Sequence, residues 1–91
     1  MKITAVCGNG LGTSLLISMN IKAITEELKF NCEVNNIDLS SVSFSNSNLY
    51  VMGVDIANSC QVPNKIILEN LIDKGELKTK LLAWLQEHTY V

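Results

Sequence analysis

One glycine-rich stretch near the N-terminus, residues 7–14, limits what this chain can fold into more than any other part of it. It consists of Cys7, Gly8, Asn9, Gly10, Leu11, Gly12, Thr13 and Ser14. The apolar run at residues 3–6 predicts a buried strand before it, and the apolar residues 15–17 predict the start of a helix after it. The alternating glycines allow a tight turn between the two. The sequence therefore predicts a strand–turn–helix unit with a cysteine where the strand ends.

This predicted turn is suited to binding an anion. Backbone N–H groups before and within the first turn of a helix point towards a common centre, and the helix dipole makes that centre favour negative charge. A cysteine beside such a centre is favoured as the thiolate, which is the reactive form of the side chain. We therefore predict that Cys7 is a nucleophile that carries a phosphoryl group. The predicted phosphate-binding residues are Gly8, Asn9, Gly10, Leu11, Gly12, Thr13 and Ser14.

Length and composition indicate one small domain spanning residues 1–91. With 47% apolar residues the chain can form a core, but it has little room for a large substrate cavity and a cofactor together, and we expect no cofactor. The net charge of −2 argues against a nucleic-acid partner. No apolar run is long enough to span a bilayer and no signal-peptide pattern is present, so we expect a cytoplasmic protein. The three cysteines lack the spacing of metal ligands, and we expect no metal.

Apolar runs alternate with helical patterns along the rest of the chain. Strands are predicted at residues 2–6, 32–37, 49–54 and 64–68, and helices at residues 14–29 and 76–88. Residues 38–48 form a polar connector with one possible helical turn, residues 55–63 a loop or short helix, and residues 73–75 a turn. Alternation of this kind predicts an α/β three-layer sandwich, in which a parallel four-stranded sheet of order 2-1-3-4 is flanked by helices. The strand at residues 32–37 is expected at an edge because polar residues interrupt it.

The two long helices are predicted to pack on the sheet through apolar stripes. The stripe of the first helix is predicted to contain Leu16, Met19, Ala23, Ile24 and Leu28. That of the last helix is predicted to contain Leu77, Leu81, Leu82, Trp84 and Leu85. Cys32 and Cys60 are interpreted as packing thiols and His88 as a solvent-facing side chain. Asp55 follows the third strand and could approach the rim of the site, but a turn or capping role is favoured, because a carboxylate would repel a phosphocysteine. Cys60 follows the same strand and could also lie near the site.

Three known kinds of glycine-rich loop have sequences related to this one. The dinucleotide fingerprint needs a Gly-x-Gly-x-x-Gly spacing, and the nucleotide P-loop needs a lysine before its hydroxyl residue; this sequence has neither. The loop also resembles that of low-molecular-weight tyrosine phosphatases, where five residues separate a cysteine from an arginine and a serine. Here Thr13 occupies the arginine position, and the chain contains no arginine at all. A phosphocysteine formed in such a site would hydrolyse slowly, which suits a phosphoryl carrier better than a phosphatase.

Residues 5–14 also resemble the active-site region of the enzyme IIB components of the bacterial sugar phosphotransferase system. The resemblance is to the lactose, ascorbate and galactitol types, and the Cys-Gly-Asn-Gly run is closest to the ascorbate type. It implies that Cys7 accepts a phosphoryl group from a phosphohistidine of a IIA protein. Cys7 would then pass the group to a sugar held by the membrane IIC transporter. We expect Asn9, Leu11 and residues 55–59 to contact these partners.

Other functions remain open on the sequence alone. A phosphatase-like hydrolase would use the same cysteine, and a non-catalytic regulatory module would use the same turn to sense small anions. A redox thiol switch is a weaker alternative because no Cys-x-x-Cys pair occurs.

Overall fold

The computed structural model of the protein describes residues 1–8 and 12–88. Four strands, three α-helices and a short 3₁₀ helix follow one another along the chain. They are β1 (Lys2–Cys7), α1 (Gly12–Glu27), β2 (Glu33–Asp38), the 3₁₀ helix (Leu39–Phe44), β3 (Leu49–Gly53), α2 (Val54–Ala57), β4 (Lys65–Leu68) and α3 (Lys74–Glu87). The predicted α/β class is confirmed.

All four strands pair in parallel, in the order β2-β1-β3-β4, as the sequence predicts. Strand β1 lies between β2 and β3, so that Ile3 pairs with both Val34 and Leu49. Because β2 is at an edge, its polar residues remain partly accessible. The carboxyl ends of the central strands β1 and β3 lie at the same edge of the sheet, where ligands bind in folds of this type.

The two faces of the sheet are covered unequally. Helices α1 and α3 cover one face and enclose the larger core, which also includes residues of β1, β3 and β4. The other face carries a smaller core, which α2 and the 3₁₀ helix cover. The larger core consists of Ile3, Ala5, Ile17, Ile21, Ile24, Leu49, Val51, Ile66, Leu68, Leu77, Leu81 and Leu85. The smaller consists of Val6, Tyr50, Met52, Ile56, Ala57 and Cys60.

The predicted apolar stripe of α1 is wrong in part. Ile24 is buried, but Leu16 and Met19 are exposed; Ala23 and Leu28 are half-buried. The helix instead buries Ser14, Ile17, Ser18, Ile21, Ile24 and Thr25. Hydroxyl side chains can occupy this face because they bond within the helix: Ser18 donates to the Leu15 carbonyl and Thr25 to the Lys22 carbonyl.

Helix α1 ends at Glu27 because the chain reverses at Lys29. Lys29 has a φ of 55°, in the left-handed region. Its N–H donates to the carbonyl of Glu26, and that of Phe30 donates to Thr25. These two bonds form a Schellman motif, in which glycine usually occupies the position of Lys29.

Helix α3 begins earlier than predicted. The turn predicted at residues 73–75 is wrong for its last two residues, because Lys74 and Gly75 are already helical. Asp73 is the N-cap, and its carboxylate accepts a hydrogen bond from the Glu76 N–H. The predicted stripe of α3 is confirmed for Leu77, Leu81 and Leu85, which are buried, while Leu82 and Trp84 are half-buried.

Candidate functional site

A cavity of about 360 Å³ lies where β1 and β3 end and α1 begins. It opens to solvent at the carboxyl edge of the sheet, the side on which the sequence predicts a ligand. Its lining comes from four separate parts of the chain. The lining residues are Val6, Cys7, Gly8, Thr13, Gly53, Asp55, Ile56 and Leu71.

Cys7 is the last residue of β1 and lines this cavity, although its side chain is only 5% exposed. Its thiol donates a hydrogen bond to the Ile37 carbonyl on β2, with 3.7 Å between sulfur and oxygen. Cys7 therefore meets the cavity while its thiol is hydrogen-bonded to the backbone of β2.

Gly8 and Gly53 keep side-chain volume out of the cavity walls. A Cβ atom on Gly8 would lie 3.2 Å from Cγ2 of Ile56, so β1 and α2 approach closely there. A Cβ atom on Gly53 would lie 2.7 Å from Oδ1 of Asp55 and 2.9 Å from Cδ2 of Leu71. Contacts this short exclude a side chain at Gly53 unless the neighbours move.

The predicted phosphate-binding residues occupy different environments. Gly12 is the first residue of α1 and Thr13 is exposed and lines the cavity, whereas Ser14 is completely buried one residue later. Gly8 lines the cavity beside Cys7. The predicted sites Asn9, Gly10 and Leu11 lie outside the described residues. The amino end of a helix of 16 residues therefore adjoins Cys7, which favours an anion in the cavity.

Asp55 belongs to the cavity, although the sequence suggested a turn or capping role. It lies in the first turn of α2, directly after β3, and is exposed. The ion pairs of residues 1–8 and 12–88 involve Glu27, Glu33 and Glu76 and do not include Asp55. Its position after a buried central strand was the available signal, because such residues gather at the carboxyl edge of the sheet.

Positive charge is absent from the lining that the structure describes. Several lysines bond elsewhere: Lys65 donates to the Ala57 and Cys60 carbonyls, and Lys80 to the Ile67 carbonyl and to Glu76. Lys2 pairs with Glu33 and Lys78 with Glu27. Backbone N–H groups and the α1 dipole are thus the positive features beside Cys7 in the described part of the chain.

The other thiols and the histidine lie away from the cavity lining. Cys60 is buried in the smaller core and Cys32 is half-buried; burial raises the pKa of both thiols. His88 is exposed and stacks on Trp84, with 4.0 Å between the ring centroids. Within residues 1–8 and 12–88, no group of three or more acidic, histidine or cysteine side chains is arranged to hold a metal ion.

Comparison with known proteins identifies the family of this chain. The family described as PTS system, lactose/cellobiose-specific IIB subunit, matches residues 2–82. The chain belongs to this family. Membership supports a phosphocarrier role in the phosphotransferase system, and it implies IIA and IIC partners in general. None of the helices in the described ranges is long and apolar enough to cross a membrane.

Similar curated proteins cover nearly the whole chain. The ascorbate-specific PTS system EIIB component of Mycoplasma pneumoniae is 29% identical over 87 residues, which are 89% of this chain and 90% of the relative. Proteins with the same name from Salmonella choleraesuis and Escherichia coli O157:H7 are each 26% identical over 93 residues. Those matches cover 97% of this chain and 92% of the relative.

Proposed function

We propose that this protein is a cytoplasmic phosphocarrier whose Cys7 accepts a phosphoryl group from a phosphohistidine of a IIA protein. Cys7 then transfers the group to a sugar bound by a membrane IIC transporter, as a protein-phosphocysteine–sugar phosphotransferase. The names of the relatives support ascorbate or a similar compound as that sugar. The observation that carries the proposal is the cavity shared by Cys7, Gly8 and Thr13 at the amino end of α1.

The chemistry of the first transfer follows from this arrangement. The sulfur of Cys7 attacks the phosphorus, so that an S–P bond forms while the N–P bond of the phosphohistidine breaks. The thiol proton passes to the released histidine nitrogen. Backbone N–H groups of residues 8–14 and the hydroxyls of Thr13 and Ser14 are the proposed ligands of the phosphoryl oxygens. Phosphoryl transfer requires mainly positioning and charge stabilisation, which these groups supply.

Loss of the hydrogen bond between the Cys7 thiol and the Ile37 carbonyl accompanies this step. The thiol proton that is lost is the one that bonds to the Ile37 carbonyl, so attack and loss of this bond are coupled. The phosphoryl group on the sulfur then occupies the cavity that Cys7 lines.

Labelling with a phosphorylated donor tests the proposal. The chain is incubated with a IIA protein of the ascorbate type that carries a labelled phosphohistidine. We expect acid–base stability typical of a thiophosphate and a labelled peptide that contains Cys7. Cys7→Ser is the matched variant, and Cys60→Ser controls for loss of a buried thiol. Absence of label on the wild type, or equal label on Cys7→Ser, refutes the proposal.

A phosphatase-like hydrolase is the second candidate because five residues separate Cys7 from Thr13 and Ser14, as in the loop of low-molecular-weight tyrosine phosphatases. The chain lacks the arginine that would stabilise the transition state of hydrolysis, so we expect almost no turnover. Turnover of an aryl phosphate that depends on Cys7 would favour this candidate over the carrier.

A further inference from the structure

We propose that the IIA donor docks over the mouth of the Cys7 cavity and inserts one lysine or arginine, which pairs with Asp55 and with the phosphoryl oxygens. This inference rests on the proposed function and adds the chemistry of the contact. It assigns Asp55 as a positioning residue, which acts on transfer through the partner's cation.

The negative charges of Asp55 and of a phosphoryl group on Cys7 would be stabilised by such a cation. Asp55 lines the same cavity as Cys7, and a phosphoryl group on Cys7 brings further negative charge beside that carboxylate. The described lining contains no cationic side chain, and the chain has no arginine. Like charges in one cavity repel, so Asp55 opposes part of the stabilisation that the backbone N–H groups give to a phosphoryl group on Cys7. A positive group between the two would remove this repulsion during transfer.

The lysines of this chain are engaged or placed elsewhere. Lys65 and Lys80 bond to backbone carbonyls of α2, its following loop and β4, while Lys2 and Lys78 are in ion pairs. Lys74 is close enough to Glu27 to lower the pKa of that carboxyl. Lys22 is in the second half of α1, and Lys29 lies just beyond its end. The cation therefore comes from the protein that docks at the cavity. A lysine or arginine donates several charge-assisted hydrogen bonds to phosphate and carboxylate oxygens together.

Four exposed apolar side chains lie close in sequence to residues of the cavity lining, and we call them the apolar rim: Leu16, Met19, Val54 and Ile72. Their exposed fractions range from 38% to 72%. Leu16 is one helical turn beyond Thr13, and Met19 is one turn further. Val54 adjoins Gly53 and Asp55, and Ile72 follows Leu71, so these two rim residues are next to residues of the lining.

The apolar rim and the charged cavity together fit a protein partner whose surface carries a cationic side chain with apolar side chains around it. Burial of the rim excludes water from the cavity, and that strengthens the pairing between Asp55 and the cation. The donor is the favoured occupant because the phosphoryl group reaches Cys7 through this opening. When transfer is complete, the cation stabilises the charge that Cys7 has gained.

Asp55→Asn tests the inference because it removes the charge and keeps the shape. Initial rates of transfer from phosphorylated IIA are measured against IIA concentration and against salt, with EDTA present. We expect kcat/KM to fall about tenfold, mainly through a higher KM, for loss of one charge-assisted pair. The wild-type rate should decline with salt more steeply than that of Asp55→Asn, since one interprotein attraction is lost.

Glu26→Gln is the control, because it removes one exposed carboxylate near the opposite end of α1. Its kcat/KM should stay within about twofold of the wild type. Melting temperatures verify that both variants fold. Leu16→Ser should raise KM in the same assay, since it removes one apolar contact of the rim.

The outcomes separate this inference from the proposed function. If Cys7 is labelled but Asp55→Asn matches the wild type in rate and salt dependence, the inference fails and the carrier function stands. Faster transfer to Asp55→Asn also overturns it, because the carboxylate would then only repel the phosphoryl group. If only transfer to sugar in IIC membranes is slowed, the transporter occupies the site and the assignment to IIA is wrong.

Discussion

Gly53 lies so close to Leu71 that a methyl group on its Cα atom would stand 2.9 Å from the Cδ2 atom of Leu71. The φ of Gly53 is −84°, which any residue adopts, so alanine is opposed there by contact and not by backbone conformation. We predict that Gly53→Ala lowers the free energy of unfolding by about 1 kcal/mol, because the side-chain ends of Asp55 and Leu71 must both shift and these are flexible. Urea denaturation measures this change.

Gly12→Ala provides the matched control for Gly53→Ala. A Cβ atom on Gly12 meets nothing within 4 Å, and Gly12 is the first residue of α1. This variant should be neutral or more stable by up to about 1 kcal/mol, since alanine restricts the unfolded chain. If Gly53→Ala and the wild type were equally stable, the Leu71 side chain would be able to move aside without a cost in free energy.

The corrected stripe of α1 makes opposite predictions for two adjacent residues. Ile17 is completely buried in the larger core, whereas Leu16 is on the apolar rim. We expect Ile17→Ala to lower the free energy of unfolding by about 2–5 kcal/mol. Leu16→Ala should change it by about 0.5 kcal/mol or less. If Leu16→Ala were the costlier variant, the stripe predicted from the sequence would be right and the packing of α1 wrong.

The sheet was predictable because its strands are short apolar runs in alternating order with helices. Buried parallel strands such as β3, where all five residues are buried, stand out from the polar segments around them. The right-handed crossover then restricts the strand order to few arrangements. Cys7 could be assigned to the carboxyl end of β1 for the same reason, since the strand signal stops where the glycines begin.

The face of α1 was harder to predict because apolar residues occur all round that helix. Leu15, Leu16 and Met19 are as apolar as Ile17 and Ile21, so periodicity alone could not choose between two faces. Ser18 shares the buried face, although its hydroxyl suggests solvent. Its hydrogen bond to the Leu15 carbonyl satisfies that hydroxyl within the helix, which a hydrophobicity pattern does not register.

The sequence allowed Asp55 a place at the rim of the site but could not distinguish this from an ordinary turn or capping role. Residues of β1, β3, α1 and the segment after β4 meet around the cavity, and the chain separates them widely. A single carboxylate after a strand has many ordinary uses in turns and caps. Only the juxtaposition of Asp55 with Cys7 distinguishes it from those.

The lowered pKa of the Glu76 carboxyl predicts that the stability of the fold depends on pH. Hydrogen bonds from the Lys80 ammonium and from the Glu69 and Asn70 N–H groups lower the pKa of its carboxyl from 4.5 to about 2. Because the folded chain favours the ionised form, this contribution is fully present above pH 4.5 and is lost as the pH falls towards 2. Glu76→Gln should therefore melt below the wild type at neutral pH, and the difference should shrink over that acid range.

Glu26→Gln is the comparison for this melting experiment. Glu26 is an exposed carboxylate on α1 and is not in one of the ion pairs of the described ranges. Its variant should follow the wild-type profile throughout the acid range. A constant gap between Glu76→Gln and wild type, down to the lowest pH, would mean that the lost contacts do not depend on ionisation.

Lys29, the left-handed residue after the end of α1, is a position where a substitution should stabilise the fold. Lys29 has a φ of 55°, in the left-handed region. This conformation is strained for a residue with a Cβ atom and unstrained for glycine. Lys29→Gly should raise the free energy of unfolding by about 1 kcal/mol. The hydrogen bonds of the Schellman motif are kept, because those from Lys29 and Phe30 involve only backbone atoms.

Lys22→Gly is the control, in the middle of the same helix, and should lower the free energy of unfolding by about 1 kcal/mol. Both variants lose one exposed lysine, so the difference between their denaturation midpoints isolates the backbone effect. Destabilisation by both variants would contradict the left-handed conformation at Lys29.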